Sequence, residues 1–236
     1  MAEKYNKNNV APVPPMGWNS YDYYNTTVNE EQVRKNAEYV SKNLKQYGWE
    51  YIVIDIQWSD PDAGKCNEQG LQYIPFSRFC IDCYSRQIPA PNRFPSSANG
   101  AGFKPLADYI HSLGLKFGIH IMRGIPRFAC HEHLPIKTHD GTKITANEIA
   151  NPFSISKWNS DMYGLDSSKK YAQDYYDSCF ELYAQWGVDF VKIDDICNTN
   201  MYPHAPYVRQ SNRKQRTSNG VKFKPRTCCH RKSTSL

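Results

Sequence analysis

Hydrophobic and polar positions along the chain repeat one pattern three times: an amphipathic helix, a glycine, an apolar residue, a charged residue, an aromatic residue and then an apolar run. The repeats read Gly48-Trp49-Glu50-Tyr51-Ile52-Val53-Ile54-Asp55, Gly114-Leu115-Lys116-Phe117-Gly118-Ile119-His120 and Gly187-Val188-Asp189-Phe190-Val191-Lys192-Ile193-Asp194. Before the first, Val33, Ala37, Val40, Leu44 and Tyr47 recur at steps of three and four, which predicts one apolar helix face. Asn29 caps that helix, with Gln32 as its reciprocal partner. Leu106, Tyr109, Ile110 and Leu113 precede the second glycine, and Ala172, Tyr176, Cys179, Tyr183 and Trp186 precede the third. Each glycine is predicted to stop its helix in the left-handed conformation.

A helix, a glycine turn and a near-continuous apolar strand form the connection of a parallel sheet buried on both faces. With an opening strand over residues 14–21, four such units can be placed. An open doubly wound sheet fits the pattern equally well, but no glycine-rich phosphate loop follows the first strand. Tyr21, Asp55, His120, Lys192 and Asp194 gather at the far ends of the strands. In a barrel that is the face on which chemistry is built.

Composition narrows the class. The chain has 236 residues, 40% hydrophobic and 22% charged, which describes a globular chain of one large or two small domains. No apolar stretch is long enough for a membrane-spanning helix, and the N-terminus does not read as a secretory signal as written. The chain is therefore expected to stay inside the cell unless a leader is absent from the sequence. Residues 208–236 hold nine Lys and Arg and no acid, leaving the other 207 residues with a net charge of −3. This basic tail lacks hydrophobic periodicity and is predicted to be disordered. Among the eight cysteines, Cys80 and Cys83 have a zinc-knuckle gap, but Cys228, Cys229 and His230 are adjacent rather than spaced, so free thiols are the favoured reading. Cys130-His131-Glu132-His133 is read as a polar surface connection rather than a metal site.

The strand-end residues suggest chemistry. Lys192 and Asp194 lie two apart and point to one side of a strand, where the ammonium favours the ionised carboxylate. An ionised, positioned Asp is what covalent glycosyl transfer requires; a structural ion pair at a barrel rim is the other reading. Asp55 at the matching place of an earlier repeat favours a site for a polyhydroxylated substrate. Tyr21, Tyr23 and Trp58 are candidates for an aromatic floor beneath a sugar ring. Asp195, next to Asp194, is expected to point away.

Five segments carry a specific resemblance: Pro14-Pro15-Met16-Gly17-Trp18-Asn19-Ser20-Tyr21, Tyr51-Ile52-Val53-Ile54-Asp55-Ile56-Gln57-Trp58, Asn92-Arg93-Phe94-Pro95-Ser96, the run from Gly114 to His120 and the run from Trp186 to Asp194. In order and spacing they resemble the alpha-galactosidase (melibiase) family, glycoside hydrolase family 27, over residues 14–207. The resemblance implies an α/β fold, a TIM-type (β/α)8 barrel of which only about the first half is present, and retaining hydrolysis of terminal α-linked galactose or a related sugar. It implies Asp194 as nucleophile, Lys192 as its cationic neighbour and a donor to sugar hydroxyls, Asp55 as an acceptor from sugar hydroxyls, and Tyr21 and His120 as pocket walls. It also implies a bridge between Cys130 and Cys197. No cofactor and no metal are implied; the expected partner is a galactoside-type carbohydrate.

Three departures qualify the likeness. Ile56 stands where the family carries a second acid, and His120 stands where it carries an aromatic hydroxyl, so a β-L-arabinopyranoside or an N-acetylated sugar is an alternative substrate. The general acid/base is expected after Tyr207, where residues 208–236 contain no acid, so the chain as given is expected to be inactive. The organisation read from the sequence is thus an N-terminal extension over 1–13, a partial barrel over 14–207 and a non-homologous tail over 208–236. A non-catalytic carbohydrate-binding remnant is the alternative. Nucleic-acid binding by the tail ranks last, because only Phe223 is there to stack on bases.

Overall fold

The computed structural model describes residues 13–64, 77–156, 158–195 and 224–226. Strand β1 (Gly17–Asn19) leads into a short helix α1 (Tyr21–Tyr24), and helix α2 comes next (Glu30–Tyr39). The Asn29 side chain accepts from the Gln32 amide and the Gln32 side chain accepts from the Asn29 amide, so the predicted capping box is present. The helix continues through a π turn at Val40–Leu44 and a 3-10 turn at Lys45–Tyr47. The π turn rotates the residues after it, and Tyr47, expected on the apolar face, is 69% exposed.

Strand β2 (Tyr51–Ile54), helix α3 (Lys104–Ser112), strand β3 (Lys116–Met122), helix α6 (Ala172–Gln185) and strand β7 (Phe190–Asp194) continue the rhythm. The three stop glycines have φ of 88°, 72° and 79°, values that a side chain strains to adopt. Strands β1, β2, β3 and β7 pair in parallel and in chain order. A doubly wound sheet reverses its order at a switch point. This one does not, so it is about half of a (β/α)8 barrel. Within the basic segment, Lys224–Arg226 (β8) pairs in parallel with Phe190–Lys192. The rest of that segment and Cys197, the implied partner of Cys130, lie outside the described residues.

Alternation places the strand side chains. Ile52, Ile54, Phe117, Ile119, Val191 and Ile193 face the helices, where they pack with Val33, Ala37, Leu106, Ile110, Phe180 and Tyr183. On the other face Tyr51, Val53 and Phe190 form a small apolar layer. Gly118 completes it: an added Cβ would lie about 3.0 Å from Val53 and 3.1 Å from Phe190.

No periodicity in the residues warns of the segment between β3 and α6. There β4 (Ile125–Pro126), helix α4 (Arg127–His131), helix α5 (Ala146–Ile149), β5 (Ala150–Ile155) and β6 (Met162–Leu165) build a second, antiparallel sheet in the order β4-β6-β5. The segment expected to be a polar surface connection is therefore partly helical. Cys130 is buried, and burial pushes its thiol up to about 12. His131 meets the Tyr163 hydroxyl at 3.2 Å, and Glu132 pairs with Arg78 at 2.8 Å.

Candidate active site

The parallel register explains why the strand-end residues meet. Ile54 lies opposite Ile119 on β3, so Asp55 comes level with His120, and His120 lies opposite Lys192 on β7. Asp194 is the next residue of β7 to point the same way.

Asp55 is 2% exposed, and every direction around its carboxylate is served. Oδ2 accepts from Asn19 Nδ2 at 2.7 Å and from Lys192 Nζ at 2.9 Å, while Oδ1 accepts from the Ile56 amide at 2.8 Å. Its own amide donates to Ser20 Oγ at 2.9 Å. Burial pushes the Asp55 carboxyl up, but the charges of His120 and Lys192, with the hydrogen bonds from Ile56 and Lys192, outweigh it and hold the group below its ordinary value. The side chain of Asp194 is more open, at 25% exposed. Its Oδ2 lies 3.1 Å from His120 Nε2, off the line of a directed hydrogen bond, and 3.8 Å from Lys192 Nζ. Burial raises this carboxyl too, and the proximity and charge of His120, then the charge of Lys192, prevail over it and over repulsion from Asp55. Two ionised carboxylates thus share one ammonium, and the more accessible of them is Asp194.

A cavity of about 290 Å³ opens beside them, lined among others by Trp18, Asn19, Tyr21, Val53, Lys192 and Asp194. That is the lower end of the range for small-ligand cavities. Tyr21 reaches it from the start of α1 rather than from a strand end, because the strand stops at Asn19 and the Tyr21 amide turns back to Asn19 Oδ1 at 2.8 Å. The expected aromatic floor does not form from all three of its candidates. Trp58 is buried against Phe103 and Trp186 and donates to the His120 carbonyl at 2.6 Å, and Tyr23 is 83% exposed. Asp195, in the left-handed region at φ 61°, accepts from Trp158 Nε1 at 3.1 Å.

Residue patterns did not single out Asn19 and Ser20, although both stand in the first quoted segment at the end of β1, where a polar pair invites this use. Arg93, from the third quoted segment, is buried and donates to the carbonyls of Thr26, Val28, Gln57 and Asp60, stitching together the loops that follow β1 and β2. Also missed was Asp161. It is 3% exposed and accepts from Gln57 Nε2 at 3.3 Å, while its Oδ1 has no hydrogen-bond partner. It borders a void of about 20 Å³ that His120 also lines, room for one water. Burial, then the charge of Asp60, pushes this carboxyl up to about 7 against the opposing influence of Gln57, the Ser77 amide and Arg127. Among the described residues no group of three or more His, Cys, Asp or Glu is arranged to hold a metal ion.

A half-barrel with acids and a cation at the carboxyl ends of its strands, beside a polar and aromatic cavity, has the form of a carbohydrate-processing site. Comparison with known proteins gives that class a family. No protein-family model matches the chain. It is 27% identical over 201 residues to an alpha-galactosidase of Coffea arabica, covering 85% of this chain and 37% of the relative. Among solved structures it is similar to a family 27 β-L-arabinopyranosidase from Geobacillus stearothermophilus, with 52% identity, TM-score 0.81 and coverage of 93% of this chain and 48% of the other. It is also similar to a putative alpha-N-acetylgalactosaminidase from Bacillus halodurans, with 51% identity, TM-score 0.79 and coverage of 93% and 50%. The chain belongs to the alpha-galactosidase family, glycoside hydrolase family 27. It spans about a third of the length of the curated relatives it matches and about half of the similar solved chains.

Proposed function

We propose that this is the donor-sugar half of a retaining glycosidase site for a terminal pyranose of galactose-type configuration. The observation that carries the reading is Asp194: ionised, partly exposed on the cavity and flanked by His120 and Lys192. A retaining enzyme needs a carboxylate free to attack the anomeric carbon. Lys192 serves as the cation that keeps Asp194 charged and as a donor to a sugar hydroxyl, Asn19 presents a polar group to another hydroxyl and Tyr21 walls the pocket, while Asp55 and His120, expected on the pocket itself, are buried behind it and hold Lys192 and Asp194 in place.

Ile56 bears on which sugar is preferred. Standing where the family carries a second acid, it is buried among Phe79, Met122 and Met162 with Tyr21 against them and offers no hydrogen bond to an exocyclic hydroxymethyl group. A pentopyranoside lacks that group, and the likeness to a β-L-arabinopyranosidase supports the same preference. Turnover further needs an acid to protonate the leaving oxygen, worth about 10²–10⁴ in rate. Asp55 and Asp194 are both held ionised, so among the described residues neither carboxyl beside Lys192 supplies that proton. This favours binding, or attack on activated substrates only, for the chain as it stands.

The test is a 2-deoxy-2-fluoroglycosyl fluoride of L-arabinopyranosyl or galactosyl configuration, whose fluoride leaves without protonation. Asp194 attacks C1, the C1–F bond breaks and a glycosyl ester remains on the protein. Intact-mass and peptide analysis should show one fluorosugar on Asp194, absent from Asp194→Asn. No adduct, or an adduct on another residue, overturns the proposal.

A further inference from the structure

A βα connection in a barrel needs only about 2–6 residues, yet Met122, the end of β3, is separated from Ala172, the start of α6, by a folded excursion. Asp161 lies in it, between β5 and β6, and its backbone is held firmly: the amide donates to Asn159 Oδ1 at 3.0 Å and the carbonyl accepts from the Arg127 amide at 2.9 Å. The side chain turns toward the loop after β2, where Oδ2 accepts from Gln57 Nε2 at 3.3 Å. The other oxygen, Oδ1, is buried with no hydrogen-bond partner.

His120 carries a second atom of this kind. Its Nε2 is buried, and although Asp194 Oδ2 lies 3.1 Å away, that oxygen is off the line of the N–H, so no directed hydrogen bond serves it. Both residues line the void of about 20 Å³, whose other polar neighbours are Gln57, Ser59, Gln87 and Asn159. Folded proteins leave few buried polar atoms unserved, and a space of this size among several polar groups is what a structural water occupies. Oδ2 faces an N–H donor, so a proton on Asp161 sits on Oδ1. Water serves that oxygen in either state, accepting from it when it is protonated and donating to it when it is ionised. Both states are met near neutral pH, because burial, then the charge of Asp60, pushes the carboxyl up to about 7.

We propose that the void is the site of one structural water bridging Asp161 Oδ1 and His120 Nε2, and that Asp161 is a positioning residue for Asp194, acting through that water and the imidazole. The positioning role rests on the reading of Asp194 as the attacking carboxylate; the water site stands on the void alone. The water accepts from His120 Nε2–H. A hydrogen bond at that nitrogen fixes where the ring proton resides and how the ring is turned, and this is the ring edge that Asp194 faces. Lys192 Nζ is farther from Asp194, at 3.8 Å, and is committed to Asp55 at 2.9 Å. The imidazole N–H is thus the nearer positive group, and the excursion steadies it from behind the sugar cavity without touching the sugar.

A high-resolution crystal structure of the full chain tests the water. One water should lie within about 3.2 Å of both Asp161 Oδ1 and His120 Nε2. It should be lost in Asp161→Leu, a side chain of similar length with no oxygen, which can pack with Met122 and Met162 beside the void. Asp161→Asn, which keeps an oxygen toward Gln57 and turns an N–H to the void, should retain it. An empty void in the unaltered chain, a water touching only one of the two atoms, or a metal ion in its place overturns the site. Nitrogen NMR of the unaltered chain should show His120 protonated at Nε2, and a bare Nε2 overturns the positioning role without any variant. Labelling of Asp194 by a 2-deoxy-2-fluoroglycosyl fluoride should slow about tenfold or more in folded Asp161→Leu, as misplacement of a reacting group does, and stay within about threefold of the parent in Asp161→Asn. An unchanged rate in Asp161→Leu, or an equal loss in both variants, overturns the role. An unaltered chain that takes no label overturns the reading of Asp194 and the positioning role with it, while the crystal structure decides the water separately.

Discussion

Replacing Asp161 with Asn should change the pH dependence of stability more than stability itself. In the folded protein this carboxyl is pushed from its ordinary 3.8 up to about 7 by burial and by Asp60. Below 3.8 it is protonated in both the folded and unfolded states. Between 3.8 and about 7 the folded chain keeps a proton that the unfolded chain has lost, so stability falls as pH rises across that window and levels off above it. At 1.36 kcal/mol per tenfold change in protonation, the whole window corresponds to about 4 kcal/mol, and the part between pH 4.5 and 8 to about 3 kcal/mol. Asn cannot titrate, and its amide places donors where Oδ1 has no partner, which costs about 1 kcal/mol at any pH. Asp161→Asn should therefore match the parent's stability to within about 1 kcal/mol at pH 4.5 and exceed it by about 3 kcal/mol at pH 8. Urea unfolding of both proteins followed by circular dichroism measures the difference, with all other titrating groups common to the pair. A difference that stays constant with pH would refute the reasoning and show that Asp161 is as ionised in the folded chain as in the unfolded one.

Lys192→Met should destabilise the protein by about 3 kcal/mol at pH 7, since it leaves Asp55 buried without its ammonium. Because the folded Asp55 titrates below 3.8, the parent's advantage should be present above that value and fade as pH falls through the depressed one, which urea unfolding at pH 7 and pH 3 would reveal. His111 is held above its ordinary 6.5, first by its hydrogen bond to Asp189. That stabilisation is full below 6.5 and is lost as pH rises through the raised value, so His111→Ala should lower the melting temperature at pH 6 and leave it nearly unchanged at pH 9. Arg93→Lys keeps the charge but cannot reach the carbonyls of Thr26, Val28, Gln57 and Asp60 together; a loss of about 2–4 kcal/mol in urea unfolding is expected, and a loss below about 0.5 kcal/mol would contradict the stitching role.

Local rules made much of the barrel readable. The capping box at Asn29, the three stop glycines and the apolar runs after them depend on near neighbours in sequence, and each takes the form its residues predict. The meeting of Asp55, His120, Lys192 and Asp194 could also be anticipated, because equal offsets from a helix stop become equal heights in a parallel register. The features that escaped reading depend on distant contacts. Trp58 ends a motif beside the site but is drawn inward by Phe103 and Trp186. The excursion has a two-residue strand, a proline within β5 and a register shift between Asn151 and Ile155, so no period of two survives to mark it. Asn159-Ser160-Asp161 reads as a solvated turn, and only its packing over Gln57 buries it. Tyr47 shows the opposite failure: its spacing was right for an α-helix, and a π turn rotated it outward.

The pair between Lys192 and Asp55 closes a span of 137 residues, against 36 for the bond from Asn19 to Asp55. Neighbouring parallel strands also close long loops, as Tyr51 to Lys116 and Ile119 to Val191 show, whereas the antiparallel sheet of the excursion forms within residues 125–165. Closing a longer loop carries a larger entropic barrier, and non-local strand pairing is the slow part of folding. The excursion is thus able to gather early, while the charge arrangement at Asp194 exists only once β7 has docked on β3. Order of assembly then guards the candidate site: an incompletely folded chain presents the excursion without the charge arrangement at Asp194, and that arrangement becomes a late marker of a finished sheet.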